Sequence, residues 1–382
     1  MDTLQIFEKQ FGSKPQVCVR APGRVNVIGE HIDYNGGHVL PMAISRAIQI
    51  AASPRTDGQF RLYAAQMNER YEGPLTPSRT PEHFWTNYFF GVVQEFIKLG
   101  HTVPGLDAVI DGNIPRGSGL SSSAGFEVAT GWMLQTLLGT QLTRMEIALA
   151  GQRAENKFVG VNCGIMDQAI SACGTANHAM LLDCNTLEYS QAPLAFQGKA
   201  AILIAHSGVH RGLSASAYNQ RRSKCDAAFE VLKKNVRADL PCLCAATQAE
   251  LDACALQMDD EMVRRARHAI GEEARVQEAV SALANGKLER LGQILNESHQ
   301  SLRDDYEVSC EELDTLTDLL RNQPGVYGSR LTGAGFGGCT VSLVATDAAQ
   351  AVIEYVTKNF YQTRGCEPIV FLSDACEGVQ VV

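Results

Sequence analysis

The stretch Ile114-Pro115-Arg116-Gly117-Ser118-Gly119-Leu120-Ser121-Ser122-Ser123-Ala124 follows a strand-like segment at 106–111 and opens a helix that reaches about Leu138. That position, between strand and helix, gives it a chemistry. Glycines let successive backbone N–H groups converge on one anion, and the helix N-terminus adds the positive end of its dipole. Serine hydroxyls bond phosphate oxygens or ligate a magnesium ion without crowding. The same residues exclude three common folds. No Lys-Ser or Lys-Thr pair follows the glycines, so this is not a Walker A loop. Ser122 stands where a dinucleotide fingerprint needs its third glycine. No serine sits in Gly-x-Ser-x-Gly, so no nucleophile elbow is present.

Working outward, the chain is large enough for two domains. At 382 residues it exceeds one ordinary core, and the division falls best in the polar, extended stretch near 181–193, giving 1–190 and 191–382. The first part mixes strands (17–21, 43–52, 61–64, 106–111) with a helix at 87–99 and the one that runs from the glycine-serine loop to about Leu138. Thr143 with Glu146 forms a capping box for another helix. The second part has a strand at 200–205, a charged helical region to Leu320, and a strand–helix–strand ending at 339–344, 347–364 and 368–372. With 45% hydrophobic and 20% charged residues, the composition is that of a soluble globular protein. The formal charge of −9 argues against nucleic acid as a partner. The apolar runs are strand-sized, which argues against a membrane span, and residues 1–8 lack the features of a signal peptide. A cytoplasmic protein with 12 reduced cysteines is expected. Cys242, Cys244 and Cys254 lack the spacing of a zinc site.

A second stretch, Gly23-Arg24-Val25-Asn26-Val27-Ile28-Gly29-Glu30-His31-Ile32-Asp33-Tyr34-Asn35-Gly36-Gly37, concentrates a cation, two carboxylates, an imidazole and amides. A core has no use for so many hydrogen-bonding groups together. A polyhydroxylated ligand does, because carboxylates read adjacent hydroxyls well. A solvated loop is the alternative. Glu155 and Asp167 form a carboxylate pair twelve residues apart, and Asp167 lies among small and apolar residues. Phosphoryl transfer needs a metal ligand and a group that orients the attacking hydroxyl and accepts its proton. Glu155 suits the first role and Asp167 the second, with Arg24 neutralising transferred charge. An exposed helical glutamate and a buried cap are the plainer readings of the two acids. A further glycine cluster, Thr332-Gly333-Ala334-Gly335-Phe336-Gly337-Gly338, precedes the strand at 339–344.

In order and spacing, segments 23–37, 115–124 and 332–338 resemble the three motifs of the GHMP superfamily of small-molecule kinases. The first resembles the signature of its galactokinase branch, as do Cys163-Gly164-Ile165-Met166-Asp167-Gln168 and Ala217-Tyr218-Asn219-Gln220-Arg221-Arg222. The resemblance covers about 20–340. It implies a mixed α+β fold of two domains, an N-terminal one like ribosomal protein S5 domain 2 and a C-terminal ferredoxin-like one, with the active site in the cleft between them. It implies ATP and Mg²⁺ as cofactors, D-galactose as the acceptor, and a monomer or weak homo-oligomer. By the same resemblance Glu30, His31, Asp33, Gly164 and Tyr218 bind the sugar. Asp167 is the catalytic base and Arg24 stabilises the transition state. Gly117, Ser118, Gly119, Leu120, Ser121, Ser122 and Ser123 wrap the triphosphate. Ser123 and Glu155 are the metal ligands, and Trp85 and Tyr88 flank the adenine or simply pack in the core. Ile32, Gly125 and Leu331 depart from the family pattern, and Ile32 bears on the sugar pocket. Sugar sensors related to the family lose residues of the serine-rich loop; here Ser121-Ser122-Ser123-Ala124 is intact.

Overall fold

The computed structural model describes residues 2–76, 78–115, 117–194, 196, 198–209 and 214–382, and of 214–216 the backbone alone. Arg116 of the glycine-serine loop falls outside them. The helix Thr3–Phe11 (α1) leads into Val17–Asn26 (β1), His38–Val39 (β2), Pro41–Arg55 (β3), Phe60–Ala64 (β4) and Glu69–Gly73 (β5). Next come Thr86–Lys98 (α2), Gly105–Gly112 (β6), Ser122–Leu138 (α3), Arg144–Ala154 (α4), Met166–Cys173 (α5), His178–Asp183 (β7) and Tyr189–Pro193 (β8). The second half begins with Ala200–His206 (β9), Ser214–Asn235 (α6), Gln248–Cys254 (α7), Asp260–Ala284 (α8) and Leu288–Asp304 (α9). It ends with Glu311–Arg321 (α10), Val326–Thr332 (β10), Cys339–Ala345 (β11), Ala349–Val356 (α11), Val370–Ser373 (β12) and Gln380–Val381 (β13).

Six strands form the first sheet in the order β13-β1-β3-β6-β4-β5, antiparallel throughout except for β4 beside β6. Side chains alternate across it with the strand period of two. Val17 and Val19 face the main core with Phe89, Val128 and Ile170 of α2, α3 and α5, whereas Cys18 faces Phe7 of α1. The second sheet runs β10-β11-β9-β12, all antiparallel. Counted within the second half, that is the 4-1-3-2 order of a ferredoxin-like split βαβ. Leu203, Leu316, Val344 and Phe360 seal one of its faces under α10 and α11. Ile202, Ile204, Val341 and Leu343 face the other way into the main core, which therefore runs through both halves.

Local signals act as the sequence suggests. Gly139 is left-handed (φ 66°) and ends α3, and Thr143 with Glu146 makes the full capping box of α4. Elsewhere the structure differs. The helix expected at 347–364 is α11 continued by a π-helical segment, Thr357–Gln362. Strand β8 lies across the division expected at 190/191. Among the described residues, no two cysteines form a disulfide. Among the described residues, no helix is long and apolar enough to cross a membrane.

Candidate active site

A bulge in β1 builds the centre of the site. The register of β1 against β3 shifts between Pro22 and Arg24, and such a shift re-aims a side chain. Gly23 permits it: a Cβ there would stand 2.5 Å from the Leu120 carbonyl oxygen. Arg24 then reaches Asp167, in the first turn of α5. Its Nε and Nη2 each donate to one carboxylate oxygen at 2.7 Å, and Nη1 donates to the Gly119 carbonyl at 2.6 Å. Ser121 adds a third donor, Oγ to Asp167 Oδ2 at 2.5 Å. The arginine side chain is 5% exposed and the aspartate 29%, so the acid faces open space while its clamp does not.

The glycine-serine loop wraps this pair. Gly117, Gly119 and Ser121 are left-handed (φ 66°, 79° and 61°), an alternation that builds a concavity of backbone N–H groups. A left-handed serine is uncommon; this one turns its hydroxyl onto Asp167. Ser118 is buried and donates to the Pro115 carbonyl at 2.6 Å, bracing the loop from within. Leu120 is anchored in the core, and its carbonyl accepts the Arg24 backbone N–H at 3.1 Å.

Glu30, His31 and Asp33 form the facing wall. Glu30 is buried and heavily engaged. Oε2 accepts from Asn26 Nδ2 at 2.6 Å, while Oε1 accepts from Thr332 Oγ1 at 3.0 Å and Gly333 N at 2.5 Å. Arg330 Nη2 approaches Oε1 at 3.1 Å. That arginine is fully buried and also donates to the carbonyls of Asn26 and Val27 at 2.8 and 2.9 Å. His31, left-handed at φ 63°, bonds Tyr34 Oη through Nδ1 at 2.8 Å and meets the Ala334 carbonyl through Nε2 at 3.2 Å. Tyr34 in turn bonds Tyr306 Oη at 2.7 Å. The Tyr218 ring lies 5.6 Å from that of His31. Asp33 packs directly on Gly164, where a Cβ would overlap its carboxylate. Burial, with Asp167 and Glu30 close by, pushes the Asp33 carboxyl up to about 7.

Glu155 begins the π-helical turn Glu155–Val159 that finishes α4, and it is buried rather than solvated. Oε2 accepts from Gln168 Nε2 at 2.8 Å and Cys163 Sγ at 3.3 Å, and Ser123 lines the same cavity as this carboxylate. Burial pushes Glu155 up to about 7. Glu127 of α3, also buried, shares the Gln168 amide at 2.9 Å. Burial and the Glu155 charge push it well above the usual carboxylate range.

One cavity of about 320 Å³ is lined by every expected site residue except Ser118, Leu120 and Trp85. Trp85 lines a neighbouring cavity of about 450 Å³ with Tyr88, Ser122 and Ser123, and those three touch both cavities. Trp85 and Tyr88 also pack against the core. Sequence reading missed Glu127, Tyr306 and Arg330, and assigned nothing to Gln168. A single acid in an otherwise apolar helix, one turn after Ser123, was the available signal for Glu127. The partners of Tyr306 and Arg330 lie far away in sequence and left none.

Comparison with known proteins places the chain in a family. The galactokinase galactose-binding signature matches residues 5–54, the GHMP kinase N-terminal domain 87–175, and the GHMP kinase C-terminal domain 279–362. A galactokinase of Roseiflexus sp. (strain RS-1) is 42% identical over 376 residues, covering 98% of this chain and 95% of the relative. One of Bos taurus is 42% identical over 384 residues, with the same coverage. The crystal structure of Lactococcus lactis galactokinase complexed with galactose superposes with a TM-score of 0.93 at 35% identity, covering 99% of this chain and 98% of that one. A mevalonate kinase of Methanococcus jannaschii, at 18% identity and a TM-score of 0.64 over 94% of this chain and 98% of that one, shares the fold alone. Bulge, serine-rich loop and sugar motif thus lie in a chain that resembles galactokinases almost from end to end, and it belongs to the galactokinase family of the GHMP kinases.

Proposed function

We propose that this chain is a galactokinase, transferring the γ-phosphoryl group of ATP to the anomeric hydroxyl of D-galactose to give galactose 1-phosphate and ADP. The observation that carries the reading is the Arg24–Asp167–Ser121 cluster, which lines a cavity shared by the anion-cradling loop and the sugar motif. Asp167 accepts the anomeric proton as that oxygen attacks the γ-phosphorus in line, and the bond to the β–γ bridging oxygen breaks to release ADP. Arg24 fixes the carboxylate in a bidentate grip and places positive charge beside the transferring group. The backbone N–H groups of 117–121 cradle the phosphates. Among the described residues no side chain is an activated nucleophile, so positioning and electrostatics do the work of the reaction.

The residues present fit a magnesium ion. Ser123 and Glu155 would hold it, two hard oxygen donors lining one cavity beside the phosphate loop, with Glu127 tied to Glu155 behind them through the Gln168 amide. Among the described residues, no group of three His, Cys, Asp or Glu side chains could hold a metal. That suits Mg²⁺, which takes one or two protein oxygens and completes its shell with phosphate and water. When bound, it supplies neutralisation of phosphate charge.

A panel of D-galactose, N-acetylgalactosamine, galacturonate and arabinose, read by ADP release, tests the substrate. Turnover on the acetylated or acidic sugar with none on galactose overturns the reading. Two further outcomes are expected. Ionised Asp33 accepts two sugar hydroxyls, and its carboxyl is pushed up to about 7. The ionised fraction therefore grows as pH rises through neutrality. Galactose KM falls from pH 6 to 8 in the wild type and is flat with pH in Asp33→Asn. Trp85→Ala raises the KM for ATP about tenfold through lost stacking on the base, and leaves galactose KM alone. A lowered melting temperature with unchanged ATP KM assigns Trp85 to the core instead.

A further inference from the structure

Glu127 lies one helical turn beyond Ser123 in α3 and is fully buried. A charge in such a place must be paired or employed. Its electrostatic neighbours are two more carboxylates, Glu155 and Asp167, and the Gln168 amide. Gln168 Nε2 donates to Glu127 Oε2 at 2.9 Å and to Glu155 Oε2 at 2.8 Å, so both amide hydrogens go to carboxylates. Glu127 Oε1 and Gln168 Oε1 have no hydrogen-bond partner among the described residues. Cys163 Sγ adds to the donors on Glu155 Oε2 at 3.3 Å.

We infer that Glu127 is a positioning residue for the metal carboxylate, acting through Gln168 to fix the rotation of Glu155 behind the ion. The inference rests on the proposed Ser123–Glu155 magnesium site. With Glu127 in place, the amide must present its nitrogen side to both acids, because the reverse orientation sets oxygen against oxygen. One Glu155 oxygen is then pinned to Gln168 and Cys163, which leaves the other for the ion. Without Glu127, Gln168 is free to invert and to turn its carbonyl on Glu155. Outer-shell partners of this kind change metal affinity or activity by about 10- to 100-fold.

The test is a titration of Mn²⁺ into enzyme holding galactose and an equimolar non-hydrolysable ATP analogue, with the free ion read by its EPR signal. Glu127→Gln keeps the shape and puts an amide nitrogen in place of one carboxyl oxygen. Gln168→Met keeps the length and removes the amide. Each is expected to weaken Mn²⁺ binding about 10- to 100-fold. Galactose affinity without metal is expected to stay as in the wild type, and excess Mg²⁺ to restore turnover. Glu155→Gln serves as the reference and loses at least as much affinity. If Glu127→Gln and Gln168→Met bind Mn²⁺ like the wild type while Glu155→Gln does not, the positioning role is overturned and the metal site stands. If Glu155→Gln also binds like the wild type, the metal site itself is overturned, and the role of Glu127 with it. Should Glu127→Gln not fold, Gln168→Met carries the comparison.

Discussion

Replacing Asp167 by asparagine is expected to lower kcat by about 10³-fold, within the range that a positioned general base contributes. Two losses combine. The amide cannot take the anomeric proton, and it puts an N–H where three donors now converge. Arg24 Nε uses one oxygen, while Arg24 Nη2 and Ser121 Oγ share the other. Whichever way the new amide turns, one of those donors meets another donor. Galactose affinity is expected to survive, because the sugar motif has its own anchors in Asn26, Arg330, Thr332 and Gly333. Single-turnover phosphate transfer and equilibrium galactose binding separate the two. Turnover within tenfold of the wild type would remove Asp167 from the role of base.

Gly164→Ala is the second substitution with a large expected effect, and it acts without touching a charged group. The new methyl would occupy the space of the Asp33 carboxylate, which must swing away. Hydrogen bonds to a charged group are worth about 1.5–3 kcal/mol each, and losing one or two raises galactose KM about 10²-fold. The Arg24–Asp167 grip is made by other residues, so kcat is expected to fall far less than kcat/KM. A double-mutant cycle isolates the mechanism. If Gly164→Ala acts through Asp33, adding it to Asp33→Ala costs little more galactose affinity. If the two losses add in full, the steric account is wrong.

The candidate site was legible because its charged and hydroxyl groups are concentrated in the sequence. Arg24, Glu30 and Asp33 fall within ten residues, and the serines of 121–123 stand between a strand and a helix. Asp167 stood out as an acid among apolar neighbours. What escaped notice was built from distant pairs. Glu127 meets Gln168 across 41 residues, and Tyr34 meets Tyr306 across 272. Ser121 was legible as a phosphate contact, yet its hydroxyl lies on Asp167, because a left-handed backbone turns it inward. Strands escaped for similar reasons. β5 reads Glu-Arg-Tyr-Glu-Gly, a charged edge strand with no apolar alternation. β13 is two exposed residues paired to β1. β10 carries Ser329, Arg330 and Thr332 into the interior, where a pattern of apolar residues is normally sought.

Arg330 has a consequence for how such kinases exchange specificity. It sits on β10 in the second half of the chain, yet its guanidinium ties down the main chain of the sugar motif at Asn26 and Val27. A genetic screen sorting variants by galactose affinity would return position 330 beside 30 and 33, although it does not line the sugar-motif cavity. Glu30 is thus held by residues from both halves of the polypeptide. A chimera that grafts the C-terminal half of another family member onto this N-terminal half would transplant the supports for Glu30 with it, and a sugar preference would shift although no residue of the motif itself had changed.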